Sequence, residues 1–382
     1  MKVLFIENSG NLSAGAFHSL VLLTGKLKQL DIECFVALPD KADGTSLLDE
    51  AGIEYIKLRE CIYTQMIKKD AGFFEKMKMP AKDFMVHRAA KKLAGFVREK
   101  GIDIIHENSS ACYIGRYIAD ITGVKHVWHI REFMEEDFDC RFCNEAKAIS
   151  MMDRSDAVIA ISEAISDKYK KKLSKVPIYM IYNGIDKSRF YNETHEIFKD
   201  SIMKLLCVGR VCRGKGQMML VTAAGILYQK FNLKVDITLA GFCDSNEKAL
   251  IIKEADKYGI SENVHILGRC TDIKSEYDKA DVFCMTSKKE AFGLVTVEAM
   301  MSGCLVLGSD SGGTREIIRD TNEYGILFEA NNVNMLAEKL YYINGNREGL
   351  KELAKRGRQR AVEQFEVSNT AAQIASLYKE IL

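Results

Sequence analysis

The chain has 382 residues, 47% hydrophobic and 28% charged, enough for two domains with cores of their own. A formal net charge of +1 provides no global field toward nucleic acid, and three prolines without a low-complexity tract argue against long disordered linkers. No apolar run reaches the roughly 18 residues that a membrane span needs.

In chain order, 2–6 (KVLFI) reads as a first strand, its apolar core being too short for a signal peptide. Further strands are expected at 32–38, 54–58, 102–106, 125–129, 157–161 and 178–182, with amphipathic segments such as 17–30 and 89–100 between them. A second set follows at 204–208, 234–239, 264–267, 282–285 and 305–308. Strand–helix alternation of this kind predicts βαβ units and parallel sheets, hence two doubly wound α/β domains. The boundary is expected at NGIDKSRF (183–190), giving domains 1–184 and 185–382, with a terminal helix over 370–382. Ligands of such sheets bind at the carboxyl ends of strands, so a cleft between two facing halves is the expected site.

Several stretches of the first half carry chemistry. In NSGNLSAGAFHSL (8–20), Gly10 and Gly15 allow a tight loop, and the helix N-terminus beyond can face a phosphate. The spacing is not G-x-G-x-x-G, which weakens a dinucleotide site; a plain turn is the alternative. Segment 66–100 holds ten Lys/Arg against four Asp/Glu, with Phe73, Phe74, Met77, Met79, Phe84 and Met85 among the lysines. Apolar residues interleaved with lysine suit contact with anionic lipid, and a solvated helix pair is the alternative. His129 ends a strand beside Arg131 and Glu132, well placed for a hydroxyl or phosphate. His106 ends another strand, with a weaker case. Eleven cysteines are scattered through the chain, several in apolar runs, as in proteins of a reducing compartment. The pair Cys140 and Cys143 lacks two further ligands at zinc spacing.

In the second half, a strand enters GRVCRGKGQ, where glycines Gly209, Gly214 and Gly216 surround two cations, Arg210 and Lys215, suited to a diphosphate. The loop imitates a P-loop but has Gly216 where the magnesium-ligating Ser or Thr would stand, so a nucleotide triphosphatase is excluded. Gly268-Arg269-Cys270 follows another strand, and Asp272 is placed to cap the next helix. TSKKEAFGLVTVE (286–298) sets Glu290 on a strand-end loop and Glu298 on a helix that begins near Phe292, Gly293 and Leu294. A helix N-terminus there is an anion site, and carboxylates on either side of an anion fit sugar hydroxyls. Together they describe a nucleotide-sugar. Gly312 and Gly313, in SDSGGTRE, form a further glycine turn before a helix.

The E-x7-E pattern of Glu290 and Glu298 resembles the signature of retaining glycosyltransferases of family 4, which have the GT-B fold of two Rossmann-like domains. The ordered match of NGID, Arg210 with Lys215, the glutamates and the Gly312-Gly313 turn extends over essentially the whole chain. The resemblance implies an acceptor-binding first domain, a donor-binding second domain and a final helix crossing back to brace the first. It implies that Arg210 and Lys215 grip the donor diphosphate, Glu290 the sugar and Glu298 the ribose, with the backbone at Arg269 and Cys270 near the base. His129 would face the acceptor and the reacting carbon; Gly15, Gly209, Phe292, Gly293, Leu294, Gly312 and Gly313 would line the donor. No aspartate-rich metal motif is present, and no cofactor or metal is implied. The implied donor is a UDP-sugar by family frequency, the acceptor a glycan or lipid-linked hydroxyl in bacterial surface polysaccharide or glycolipid assembly. The implied location is the cytoplasm or the inner membrane face. An epimerase of the same architecture and a non-catalytic sugar-nucleotide-binding protein are the alternatives.

Overall fold

The computed structural model describes residues 1–12, 14–320 and 322–382. Two compact units divide the chain: Met1–Gly184 with Val367–Leu382, and Ile185–Glu366. The second unit thus ends at Glu366 rather than at Leu382, because the final helix, Val367–Ile381, packs in the first unit's core.

The first unit contains β1 (Lys2–Ile6), β2 (Glu33–Leu38), β3 (Glu54–Lys57), β4 (Met66–Lys68), β5 (Ile104–Glu107), β6 (Lys125–Ile130), β7 (Cys140–Phe142), β8 (Ala157–Ala160) and β9 (Ile178–Met180). Seven of these form a parallel sheet in the order β3-β2-β1-β5-β6-β8-β9, with Val3 opposite both Cys34 and Ile104. The strands read as continuous apolar runs because both faces are covered. Val3 and Phe5 join Phe17, Leu20 and Leu23 of helix Gly15–Lys28, together with Ile374 and Tyr378 of the last helix. Leu4 and Ile6 point the other way, against Val86, Leu93 and Val97 of helix Phe73–Lys100.

The second unit contains β10 (Met203–Val208), β11 (Val235–Ala240), β12 (Val264–Gly268), β13 (Val282–Met285), β14 (Leu305–Ser309) and β15 (Ile326–Phe328), in the parallel order β12-β11-β10-β13-β14-β15. Asp244, Asp272 and Asn332 each cap a helix start by accepting a first-turn N–H.

One departure from the sequence reading stands out. Segment 66–100 is neither all helix nor a helix pair: β4 pairs antiparallel with β7, and a single helix, Phe73–Lys100, contains Pro80 and ends at Gly101 with φ +65. Three-residue strands are too short for a period-two pattern to register. In both large sheets the strand order reverses once, between β1 and β5 and between β10 and β13. At such switch points neighbouring loops diverge and leave a crevice at the carboxyl ends.

Candidate functional site

At the second unit's switch point, β10 runs beside β13 with Leu205 opposite Val282. The β10 loop begins at Gly209 (φ +140) and carries Arg210 and Lys215; Gly216 (φ +74) opens helix Gln217–Phe231. A Cβ on Gly216 would sit 2.2 Å from the Thr286 carbonyl oxygen, so backbone packs directly on backbone. The two loops are tied together: Thr286 Oγ1 donates to Lys215 O at 2.9 Å, and Lys288 N–H to Gly214 O at 3.1 Å. Lys215 Nζ lies 2.5 Å from Glu290 Oε1, with side-chain exposures of 40% and 14%. The ammonium reaches solvent while the carboxylate is sunk beneath it.

A third loop, after β14, fixes Glu290 from behind. Gly313 N–H donates to Glu290 O at 2.9 Å, and a Cβ on Gly312 would lie 2.3 Å from that oxygen. A Cβ on Gly313 would meet Phe292 O at 2.4 Å. The close approach these glycines permit in this structure is thus to the Glu290–Phe292 backbone. Phe292 is buried edge-on against Phe365, so its ring belongs to the core. Gly293 (φ +104) is the N-cap of helix Leu294–Met301, and its carbonyl accepts from Thr296 N–H at 2.9 Å and Val297 N–H at 3.4 Å, so the positive end of the helix lies at Leu294 and Val295.

Glu298 is the fifth residue of that helix, a little over one turn from its start. Its Oε2 accepts from Tyr277 Oη at 2.9 Å; burial raises its pKa, and the Arg189 charge opposes the rise. The exposed Arg210 guanidinium lies 5.7 Å from the Phe242 ring centre, and the Arg269 guanidinium 5.5 Å from it. Cys270 is half-buried beside Arg269. The sequence reading missed Phe242. Its signal is an aromatic directly after Gly241, the glycine that follows β11 and on which a Cβ would lie 2.1 Å from Gly209 O.

In the first unit, Gly15 is the exposed first residue of its helix, and the Glu7 carboxylate takes up the Ser9 and Gly10 N–H groups just after β1. Glu7 Oε1 accepts from Ser9 N–H at 2.8 Å, and Oε2 from Asn108 Nδ2 at 2.7 Å. His129, 1% exposed near the end of β6, has Nδ1 3.0 Å from His106 Nε2. His106 Nδ1 in turn lies 2.6 Å from Tyr378 Oη. Burial, reinforced by the neighbouring Arg131 charge, holds both imidazoles well below the usual histidine pKa. Arg131 is itself buried and its pKa is pushed down to about 10. It donates from Nε to Asn108 Oδ1 at 2.7 Å and from Nη1 to Asn183 Oδ1 at 2.5 Å, which gives the first residue of the NGID stretch a physical task. Cys140 is buried in β7, and Cys143 N–H bonds Gln65 O at 2.9 Å. Among the described residues no group of three or more His, Cys, Asp or Glu is placed to hold a metal ion.

Helix Phe73–Lys100 has two apolar sides. Met79 and Val86 face the core, at 3% and 0% exposure. Met77 and Phe84 each lie two residues earlier, about 200° away around a helix of 3.6 residues per turn. They are 60% and 69% exposed, and Phe73 and Phe74 are 72% and 80%. Exposed Lys76 and Lys78 flank them. Among the described residues no helix is long and apolar enough to cross a membrane.

The model for glycosyltransferase family 4 matches residues 66–189, and that for glycosyl transferases group 1 matches 192–360. An uncharacterised glycosyltransferase of Methanocaldococcus jannaschii is 25% identical over 297 residues, covering 75% of this chain and 77% of its own. The N-acetyl-α-D-glucosaminyl L-malate synthase of Bacillus anthracis is 24% identical over 238 residues, 60% of this chain and 61% of that one. Among solved structures, Anabaena HepE in complex with UDP superposes with a TM-score of 0.81 at 21% identity, covering 100% of each chain. The two sheets and their switch points fit that likeness, and the two family matches between them take in most of the chain. It belongs to the family 4 glycosyltransferases and has the GT-B fold.

Proposed function

We propose that this glycosyltransferase moves a sugar from a UDP-sugar to a hydroxyl of a glycan or lipid-linked acceptor, with retention at the anomeric carbon. The observation that carries the reading is the Lys215–Glu290 pair, held by three loops at the second unit's switch point. Lys215 and Arg210 neutralise the departing diphosphate, aided by the helix N-terminus after Gly293. Removing one such group typically costs ~2.7–4 kcal/mol of barrier. Glu290 accepts from the sugar hydroxyls, and Glu298, oriented by Tyr277, accepts from the ribose. With its carboxylate already paired to an ammonium, Glu290 is a poor covalent nucleophile, so same-face attack is the proposed route to retention. The two cations supply the charge that a divalent ion would otherwise bring. UDP, as the nucleotide named in the HepE complex, supports the choice of donor.

In the first unit, His129 is the group that meets a substrate hydroxyl. The outward apolar stripe of Phe73–Lys100, with its lysines, supports docking on an anionic membrane surface, where lipid-linked acceptors for surface polysaccharide or glycolipid assembly reside. Incubation with radiolabelled UDP- and GDP-sugars, with and without membrane lipid extract, tests the reading. The expected result is acceptor-dependent transfer from a UDP-sugar. Epimerised nucleotide-sugar without acceptor, or binding without turnover, would contradict it.

A further inference from the structure

The hydrogen-bond chain from Tyr378 through His106 to His129 has only two consistent proton arrangements. Neutral imidazole carries one N–H and one bare nitrogen. In the first arrangement the phenol donates to His106 Nδ1, His106 Nε2–H donates to His129 Nδ1, and His129 Nε2 carries a proton. In the second every bond is reversed and His129 Nε2 is bare.

Counting unmet groups separates them. His129 Nε2 has no hydrogen-bond partner among the described residues, so it is unpaired in both. Among those residues the Tyr378 hydroxyl bonds only to His106 Nδ1. Reversal would therefore also strand the phenol proton in a fully buried position. Each orphaned buried group costs free energy, so the first arrangement is lower. Arg131 beside both rings opposes a second proton on either, which keeps the chain neutral.

We propose that Tyr378 and His106 are positioning residues that hold His129 as its Nε2–H tautomer, so that His129 offers substrate a hydrogen-bond donor rather than a base. The inference rests on the reading of His129 as the substrate-facing group of the first unit. It ties that group to the last helix, since Tyr378 lies on Val367–Ile381 and packs in the core behind β1. An acceptor in that environment would be recognised through an oxygen lone pair, and its hydroxyl proton would pass to the departing diphosphate on the same face rather than to His129.

The test is imidazole 15N NMR on His-labelled protein, with Tyr378→Phe, His106→Gln and His129→Ala variants. The wild type is expected to show His129 protonated at Nε2 and bare at Nδ1. Tyr378→Phe removes the proton that polarises the chain, so the His129 signals should move toward a tautomer mixture. Its kcat should fall roughly tenfold, the scale of one lost buried hydrogen bond, with donor KM little changed. His106→Gln supplies the second variant, and is expected to shift the His129 signals as well. A wild-type His129 protonated at Nδ1 would overturn the proposal. So would a folded Tyr378→Phe protein with unchanged His129 signals and unchanged kcat. Full turnover by His129→Ala, alongside the expected wild-type tautomer, would instead remove His129 from the reaction while leaving the relay standing.

Discussion

Lys215 Nζ and Glu290 Oε1 lie 2.5 Å apart, joining loops 75 residues apart in sequence. Under the proposed function, the contact sets opposite charges where a diphosphate and a sugar would each need one, and balances them meanwhile. Neither side chain is deeply desolvated together with its partner, since Lys215 reaches solvent. A half-exposed pair of this kind contributes little to stability.

Lys215→Ala and Glu290→Gln are each expected to lower kcat/KM by roughly a hundredfold, because each removes a group that meets developing charge or sugar hydroxyls. The double variant should cost less than the two effects combined, as residues in contact are not additive. Steady-state kinetics on all four proteins checks this. Near-normal turnover in either single variant would remove that residue from the site.

For Glu298→Gln the loss should fall mainly on donor KM, since ribose contact is shared by ground and transition states. Tyr277→Phe should move KM in the same direction but less, through the 2.9 Å bond that orients the carboxylate. An unchanged donor KM in Glu298→Gln would detach Glu298 from the ribose.

The outward stripe predicts salt-sensitive binding to anionic vesicles and none to neutral ones. Each lysine near such a surface is worth ~1 kcal/mol, and the exposed phenylalanines add apolar burial. Replacing Phe73 and Phe74 with serine, and Lys76 and Lys78 with glutamate, should abolish co-sedimentation without changing donor binding. A wild-type protein that ignores anionic vesicles at low salt would contradict the membrane role.

Glu107 gives a pH dependence of known sign. Burial pushes its carboxyl up to about 8, and neither of its oxygens has a hydrogen-bond partner among the described residues. His126 Nε2 lies 3.6 Å away, and burial holds that imidazole well below its usual pKa. The folded state thus holds a proton that the unfolded chain releases above about pH 4.5. The associated stability is complete below that pH and is lost as pH rises toward 8. Glu107→Gln removes the effect, so its melting temperature relative to wild type should rise between about pH 5 and 8. The difference grows by on the order of 1.4 kcal/mol per unit. Parallel stability curves for the two proteins would rule this out.

The strands that carry the candidate site were legible because a parallel strand covered on both faces is an unbroken apolar run: β1 and β13 lie where 2–6 and 282–285 were read. Helix Leu294–Met301 was legible from its helical apolar spacing, with Gly293 marking its start. What pattern could not supply was the company each residue keeps. The Lys215–Glu290 contact and the Tyr378–His106 contact, across 272 positions, are tertiary events with no local signature. Phe242 and β4 escaped for a simpler reason: one aromatic after a strand, or three residues paired to three, is below the length at which periodicity speaks.

The most direct test is calorimetric titration of UDP into the wild type, Lys215→Ala and Glu290→Gln. If the pair is the junction of diphosphate and sugar sites, Lys215→Ala should weaken UDP binding at least about tenfold, the scale of one lost charge-assisted contact. Glu290→Gln, which takes away only a negative charge that UDP never touches, should bind UDP as tightly as the wild type or more so. UDP affinity that is unaffected by Lys215→Ala, or that collapses in Glu290→Gln, would contradict the account.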